Sequence, residues 1–218
     1  MCTRDEETKW TQEGFKCIIG CDEAGAGTLA GPVTVCACHV PLTVTIPGIN
    51  DSKKLTPKKR DQLYELIVKC PEIKYSIVHI GHDVIDEINI LQARFEGFYR
   101  AYTNLKKELP QIDAVFIDGD KTPPQFKSEQ VKVHTIVKGD ASCVSIAIAS
   151  ILAKVTRDRM MVEYEKQYPG YEFAVHKGYH TPQHVELIRK LGPCEIHRKT
   201  FRGVKQDTDD LNLQSEMI

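Results

Sequence analysis

"CIIGCDEAGAGTLAGPVTVCACHV", residues 17–40, decides how this chain folds. Residues 16–22 read as one strand, ended by Gly25 and Gly27, and residues 31–40 read as a second, rich in β-branched side chains. A glycine bend between them makes an antiparallel pair. The same bend carries two adjacent carboxylates, Asp22 and Glu23, at the end of the first strand. Adjacent residues on a regular strand face opposite ways, so the two acids can serve one site only if the backbone turns there.

Further along, Thr56 before Pro57 is a helix start: threonine caps, and proline lacks only an amide that would be unpaired anyway. That helix should run through "KKRDQLYELIVK". Residues 73–81 alternate like a strand. Ile85, Ile88, Leu91, Phe95, Phe98, Tyr102 and Leu105 then recur at spacings of three and four, which predicts one long helix over 84–109. "DAVFIDGD" (113–120) and "VKVHTIVKGD" (131–140) each read as a buried strand ending in an acid beside glycine. Residues 145–167 predict a helix buried in its first half, and 182–191 a shorter one. Strands alternating with helices imply an α/β sheet, antiparallel at its start and parallel later. Residues 1–14 are polar and expected to be loose, 15–205 form the single large domain, and 206–218 are a polar, acidic tail.

A chain of 218 residues can bury a substantial core. No basic flank precedes an apolar stretch near the start, and no run approaches the roughly 20 apolar residues that span a bilayer. An intracellular, cytoplasmic protein is expected, or a nuclear one if the source is eukaryotic. The eight cysteines include no CxxC pair and read as reduced, small hydrophobes. The net charge of -1 argues against a globally basic nucleic-acid binder, but basic clusters at 53–60 and 189–205 could meet phosphates.

Asp22, Glu23, Asp118 and Asp140 share one feature: each ends or directly follows an apolar strand and has glycine within two residues. On neighbouring parallel strands they converge at one edge of the sheet, where such sites collect. Four unpaired carboxylates would repel strongly, so they call for cations. Oxygen ligands alone point to hard ions, magnesium or manganese. Two rival constellations fail. Gly25, Gly27 and Gly31 lead into Pro32 and a strand, whereas a dinucleotide cradle must open a helix. His176, His180 and His184 are four apart, but Gly178 and Pro182 interrupt them, so the three would not share a helix face as zinc ligands.

With these residues assembled, the chain closely resembles the ribonuclease HII family, type 2 ribonucleases H that cut RNA within DNA duplexes. The matching stretches are "GCDEAGAGTLAGPV", "INDSKKLTPKKR", "DEINI", "FIDGD", "VKGDASCVSIAIASILAKVTRDRMM" and "HKGYHTPQHVELIRKLGPCEIHRKTF", in order. The resemblance implies a ribonuclease H-like fold, a central mixed β-sheet flanked by helices with a C-terminal helical portion. It implies catalysis and metal binding by Asp22, Glu23, Asp118 and Asp140, with two Mg2+ or Mn2+ ions. The implied reaction is hydrolysis of the RNA strand of RNA–DNA hybrids, and 5′ of ribonucleotides embedded in duplex DNA, leaving 3′-hydroxyl and 5′-phosphate ends. Substrate residues implied by the same resemblance are Gly25, Ala26 and Gly27 at the 2′-hydroxyl, Asn50 and Lys53 at phosphate, and Tyr179 on the following sugar. Ala26 departs from the family, which has arginine there. A hybrid-binding protein of the same fold with weakened catalysis is therefore the competing reading. No glutamine-leucine-aromatic clamp peptide stands at the C-terminus, and a monomer is expected.

Overall fold

The structure is a computed structural model and describes residues 2–49, 52–109 and 111–205. Five strands form one mixed sheet: β1 (Ile18–Ala24), β2 (Val33–His39), β3 (Lys74–Ile80), β4 (Ala114–Asp118) and β5 (Lys132–Ile136), in the order β3-β2-β1-β4-β5. β1 pairs antiparallel with β2 and β2 with β3, while β4 lies parallel to both β1 and β5. The hairpin of residues 17–40 is thus the antiparallel half, and β1 is the seam where a parallel half begins.

Helix α5 (Val144–Gln167) crosses one face. Its first half is buried from Ser145 to Ala153 and packs against Cys36 and Cys38 of β2. Gly20 permits this approach, because a Cβ there would meet the main chain of Ser145 and Ile146 at 2.4 and 2.5 Å. Helix α2 (Pro57–Val68) adds Leu63 and Ile67 to the same layer, and Thr56 caps it as expected by accepting the Lys59 N–H at 3.3 Å. Helix α3 (His82–Leu105) covers the other face, setting Phe98, Ala101, Tyr102 and Leu105 against Ile19, Cys21, Val35 and Ala37. The short helices α4 (Gly139–Ser142) and α6 (Phe173–His176) flank α5, and α7 (Pro182–Leu191) completes the C-terminal helical portion.

Three elements differ from expectation. Residues 5–12, expected to be loose, form helix α1 (Asp5–Gln12). Trp10 buries its ring against Phe15, Phe116 and His134, and the buried Glu7 accepts the Ser145 N–H at 2.9 Å, capping α5 from a distant segment. The long helix is broken: Asn89 has φ 66°, and its Oδ1 accepts the N–H groups of Leu91 and Gln92, restarting the helix as a cap would. Asp140 does not end a strand but lies in the first turn of α4, after Lys138 takes a left-handed conformation. Among the described residues there is no disulfide, and no helix is long and apolar enough to cross a membrane.

Candidate active site

Asp22 shares the face of β1 that Gly20 presents to α5. Its Oδ1 accepts the Glu23 N–H at 2.7 Å, and the Ser150 hydroxyl of α5 hydrogen-bonds to the carboxylate. Ser150 Oγ in turn stands 2.8 Å from Ser52 Oγ. No turn separates Asp22 from Glu23, contrary to the requirement drawn from sequence: β1 stays extended and paired through Ala24. Glu23 faces α3 instead, where Arg94 Nε lies 2.8 Å from its Oε1. The two acids still act on one another as neighbours in β1, and β4 ends beside them. Ile117 pairs with Cys21, so Asp118 closes β4 level with the pair. Asp118 Oδ1 accepts the Gly139 N–H at 2.7 Å, and Asp140 Oδ2 meets Lys53 Nζ at 3.1 Å.

Burial pushes the Asp22 carboxyl well above its usual range, and the charges of Glu23 and Asp118 push it further. Glu23 is raised by burial despite Arg94, with Asp118 adding to the rise. Asp118 is raised by burial and then by Asp140. The set therefore holds more negative charge than it can keep ionised unaided, and a cation would relieve it. Glu23 Oε2 is buried with no hydrogen-bond partner, an acceptor left open. Among the described residues no three histidines, cysteines or carboxylates close on a single metal position. Even so, the donor set fits a hard divalent ion: it is all oxygen, charge-dense, and has a buried acceptor to spare.

Beside the acids, the bend at Gly25–Gly27 is gripped from below. Arg198 donates from Nη2 to the Gly25 carbonyl at 2.7 Å and from Nη1 to the Ala26 carbonyl at 2.8 Å. Gly25 has φ +88°, and a Cβ there would lie 1.9 Å from Arg157 Nε, so only glycine fits. Tyr179 is 38% exposed, bridges across to Thr28, and carries Lys154 Nζ 4.8 Å from its ring centroid. The structure thus brings Gly25, Ala26, Gly27 and Tyr179 together and joins Lys53 to Asp140. Asn50 lies outside the described residues.

A family model for ribonuclease HII matches residues 19–204. The chain belongs to the ribonuclease HII family, the type 2 ribonucleases H. Ribonuclease HII of Geobacter metallireducens is 48% identical over 207 residues, covering 92% of this chain and 93% of its own length. The solved ribonuclease H2 of Pyrococcus horikoshii OT3 shares the fold with TM-score 0.70 at 24% identity, covering 93% of this chain and 100% of that one. Bst-RNase HIII in complex with Mn2+ does so with TM-score 0.68 at 19% identity, over 94% and 72%. The expected ribonuclease H-like fold, a mixed sheet flanked by helices, is the one observed.

Sequence reasoning missed several residues that shape the site. Arg94 and Ser150 touch the acids from opposite faces of the sheet, 71 positions and more away in sequence from Glu23 and Asp22 respectively. Arg157 and Arg198 lie within quoted motif stretches but received no role. A signal for Arg157 existed: Ala149, Ala153, Arg157 and Met161 recur every four residues along the buried stripe of α5. The histidine reading needs amendment as well. His176 and His184 do meet, stacked with centroids 4.1 Å apart, because the loop between them folds back. Their ring nitrogens are engaged by main chain and by His197, in a structural network.

Proposed function

We propose that this chain is a divalent-metal-dependent endoribonuclease that hydrolyses the RNA strand of RNA–DNA hybrids and cuts 5′ of ribonucleotides embedded in duplex DNA. Its biological use would be ribonucleotide removal in DNA replication or repair. The observation that carries the reading is the group of four carboxylates at the β1/β4 edge, three of them raised by burial and by one another. Such a group holds its charge only beside cations. The manganese complex of the HIII neighbour supports Mg2+ or Mn2+ as the ion. Two such ions, when bound, activate the attacking water and stabilise the leaving 3′-oxygen.

The remaining work falls to the chain's own groups. Asp22 and Asp140 serve as direct ligands, Asp118 as another, and Glu23 as ligand or as the group that positions the water. Ser150, Ser52 and the Glu23 N–H orient the Asp22 carboxylate. The bend at Gly25–Gly27 brings bare main chain against the sugar, where only the 2′-hydroxyl separates RNA from DNA. Tyr179 offers its exposed ring to the next sugar, and Asn50 and Lys53 bind phosphate. A monomer is the working unit we propose.

A duplex carrying one ribonucleotide, incubated with Mg2+ or Mn2+, should be cut 5′ of it, and Asp22→Asn should abolish the cut. A specific observation keeps a second reading in play: Ala26 presents no guanidinium to the substrate, which favours a hybrid binder with weakened turnover. Tight hybrid binding with no turnover at saturating substrate would decide for that second reading, and turnover abolished by Asp22→Asn would reject it.

A further inference from the structure

Arg157 and Arg198 are fully buried, and among the described residues neither forms an ion pair with a carboxylate. Burying two cations without counter-charges is costly, so their hydrogen bonds must be exacting. Nearly all go to one loop. Arg157 donates from Nε to the Pro32 carbonyl at 2.9 Å, from Nη2 to Thr28 Oγ1 at 2.8 Å and the Ala30 carbonyl at 2.9 Å, and from Nη1 to the Lys177 carbonyl at 2.8 Å. Arg198 donates from Nε to the Gly31 carbonyl at 3.0 Å, besides its two bonds to Gly25 and Ala26. The segment holding Arg198 is itself anchored, since Asp86 of α3 accepts the N–H groups of Lys199 and Thr200.

The consequence follows from peptide geometry. No peptide bond is cis, and in a trans peptide the C=O and N–H point opposite ways. With the Gly25 and Ala26 carbonyls drawn inward to Arg198, the N–H groups of Ala26 and Gly27 must point outward. Neither N–H has an acceptor among the described residues. Gly27 is exposed, and a Cβ built there meets nothing within 4 Å, so the bend is open to solvent at that residue. Two successive outward N–H groups form a concavity suited to an oxygen acceptor. Because both carbonyls are taken, the loop offers donors there.

We propose that Arg198, backed by Arg157, is a positioning residue that aims the Ala26 and Gly27 N–H groups at one oxygen of the substrate, the ribose 2′-hydroxyl, and thereby sets the preference for RNA over DNA. The proposal rests on the function proposed above. Arg157 extends the same grip to the other side of the sugar site: it ties the loop to Lys177, two residues before Tyr179, and lies 5.8 Å from the Tyr179 ring centroid.

The test compares Arg198→Lys and Arg157→Lys, which keep the charge and lose the planar fork, with the unaltered protein. Two duplexes of one sequence are used, one carrying a single ribonucleotide and one all DNA. Arg198→Lys should lower kcat/KM on the first duplex roughly 10- to 100-fold. It should also shrink the ratio of the two dissociation constants toward 1 while Mn2+ binding by the carboxylates is retained. A merely structural role would not move that ratio. Should Arg198→Lys fail to fold, amide spectra of the unaltered 15N-labelled protein in EDTA decide: the Ala26 and Gly27 N–H signals should shift with the ribonucleotide duplex and not with all-DNA duplex. Equal shifts with both duplexes, or a folded Arg198→Lys with unchanged kcat/KM and ratio, would overturn the positioning role while leaving the nuclease reading intact. An unaltered protein that cuts neither duplex would overturn the nuclease reading itself.

Discussion

Asp22 sits where a carboxylate is least comfortable without a cation: buried, beside Glu23, and level with Asp118. Asparagine keeps its size and its acceptor for the Glu23 N–H but removes the charge. Asp22→Asn should therefore raise the stability of the metal-free protein, by on the order of 1 kcal/mol, while eliminating cleavage; thermal melts in EDTA read the first and a gel assay the second. Gly27 provides the converse case. Its φ is not in the left-handed region and the space around it is open, so Gly27→Ala should leave the melting temperature within about 1 °C of the original. The added methyl would occupy the sugar's place, and kcat/KM should fall at least ~10-fold. At this scale the four acids were legible because each follows an apolar run beside glycine. Arg94 was not, because nothing local to "ILQARFEG" signals a partner on a strand far earlier in the chain.

Among the elements, α1 was invisible to sequence reading and has a definite task. Its eight residues are mostly polar, and only Glu7 and Trp10 are buried, too few for a periodic signal. The residue before α5 is Cys143, whose side chain caps nothing, and Glu7 supplies the missing acceptor. Glu7→Ala should destabilise the protein by about 1–2 kcal/mol, as loss of an N-cap does, which urea unfolding would measure as a lower midpoint. The five strands and the α2 start were legible because β-branched runs, alternation and a Thr-Pro start act locally. The break in α3 was not: Asn89 falls within an unbroken apolar stripe, and its capping role depends on a left-handed backbone that spacing alone does not reveal.

Across the whole molecule, the C-terminal helical portion is held together internally by buried histidines. His184 donates from Nδ1 to the Tyr179 carbonyl, its Nε2 lies 3.1 Å from His197 Nε2, and His197 Nδ1 accepts the Cys194 N–H at 2.9 Å. Each ring is thus fully used in its neutral form. Burial holds both His184 and His197 down at about 4, helped by His176 facing both, with His180 near the first and His82 near the second. Neutral when folded and free to protonate near pH 6.5 when unfolded, the pair stabilises the protein fully above that pH and loses its contribution as pH falls toward about 4. Urea midpoints should fall between pH 7 and pH 5, and fall less in His197→Gln. The topology was legible from the alternation of strands and helices, including the change from antiparallel to parallel pairing. The means by which loop, α5 and C-terminal segment are fastened was not, because it runs through buried arginines and histidines that bond main chain.

The central claim is that the acids at the β1/β4 edge drive cleavage at a ribonucleotide. It is tested most directly by mapping the ends produced from a duplex with one embedded ribonucleotide, beside a long RNA–DNA hybrid, in Mg2+ and in Mn2+. The account predicts a cut immediately 5′ of the ribonucleotide, with 3′-hydroxyl and 5′-phosphate ends, absent in Asp22→Asn. Intact substrate with folded protein in both metals, or equal cutting by Asp22→Asn, would contradict it.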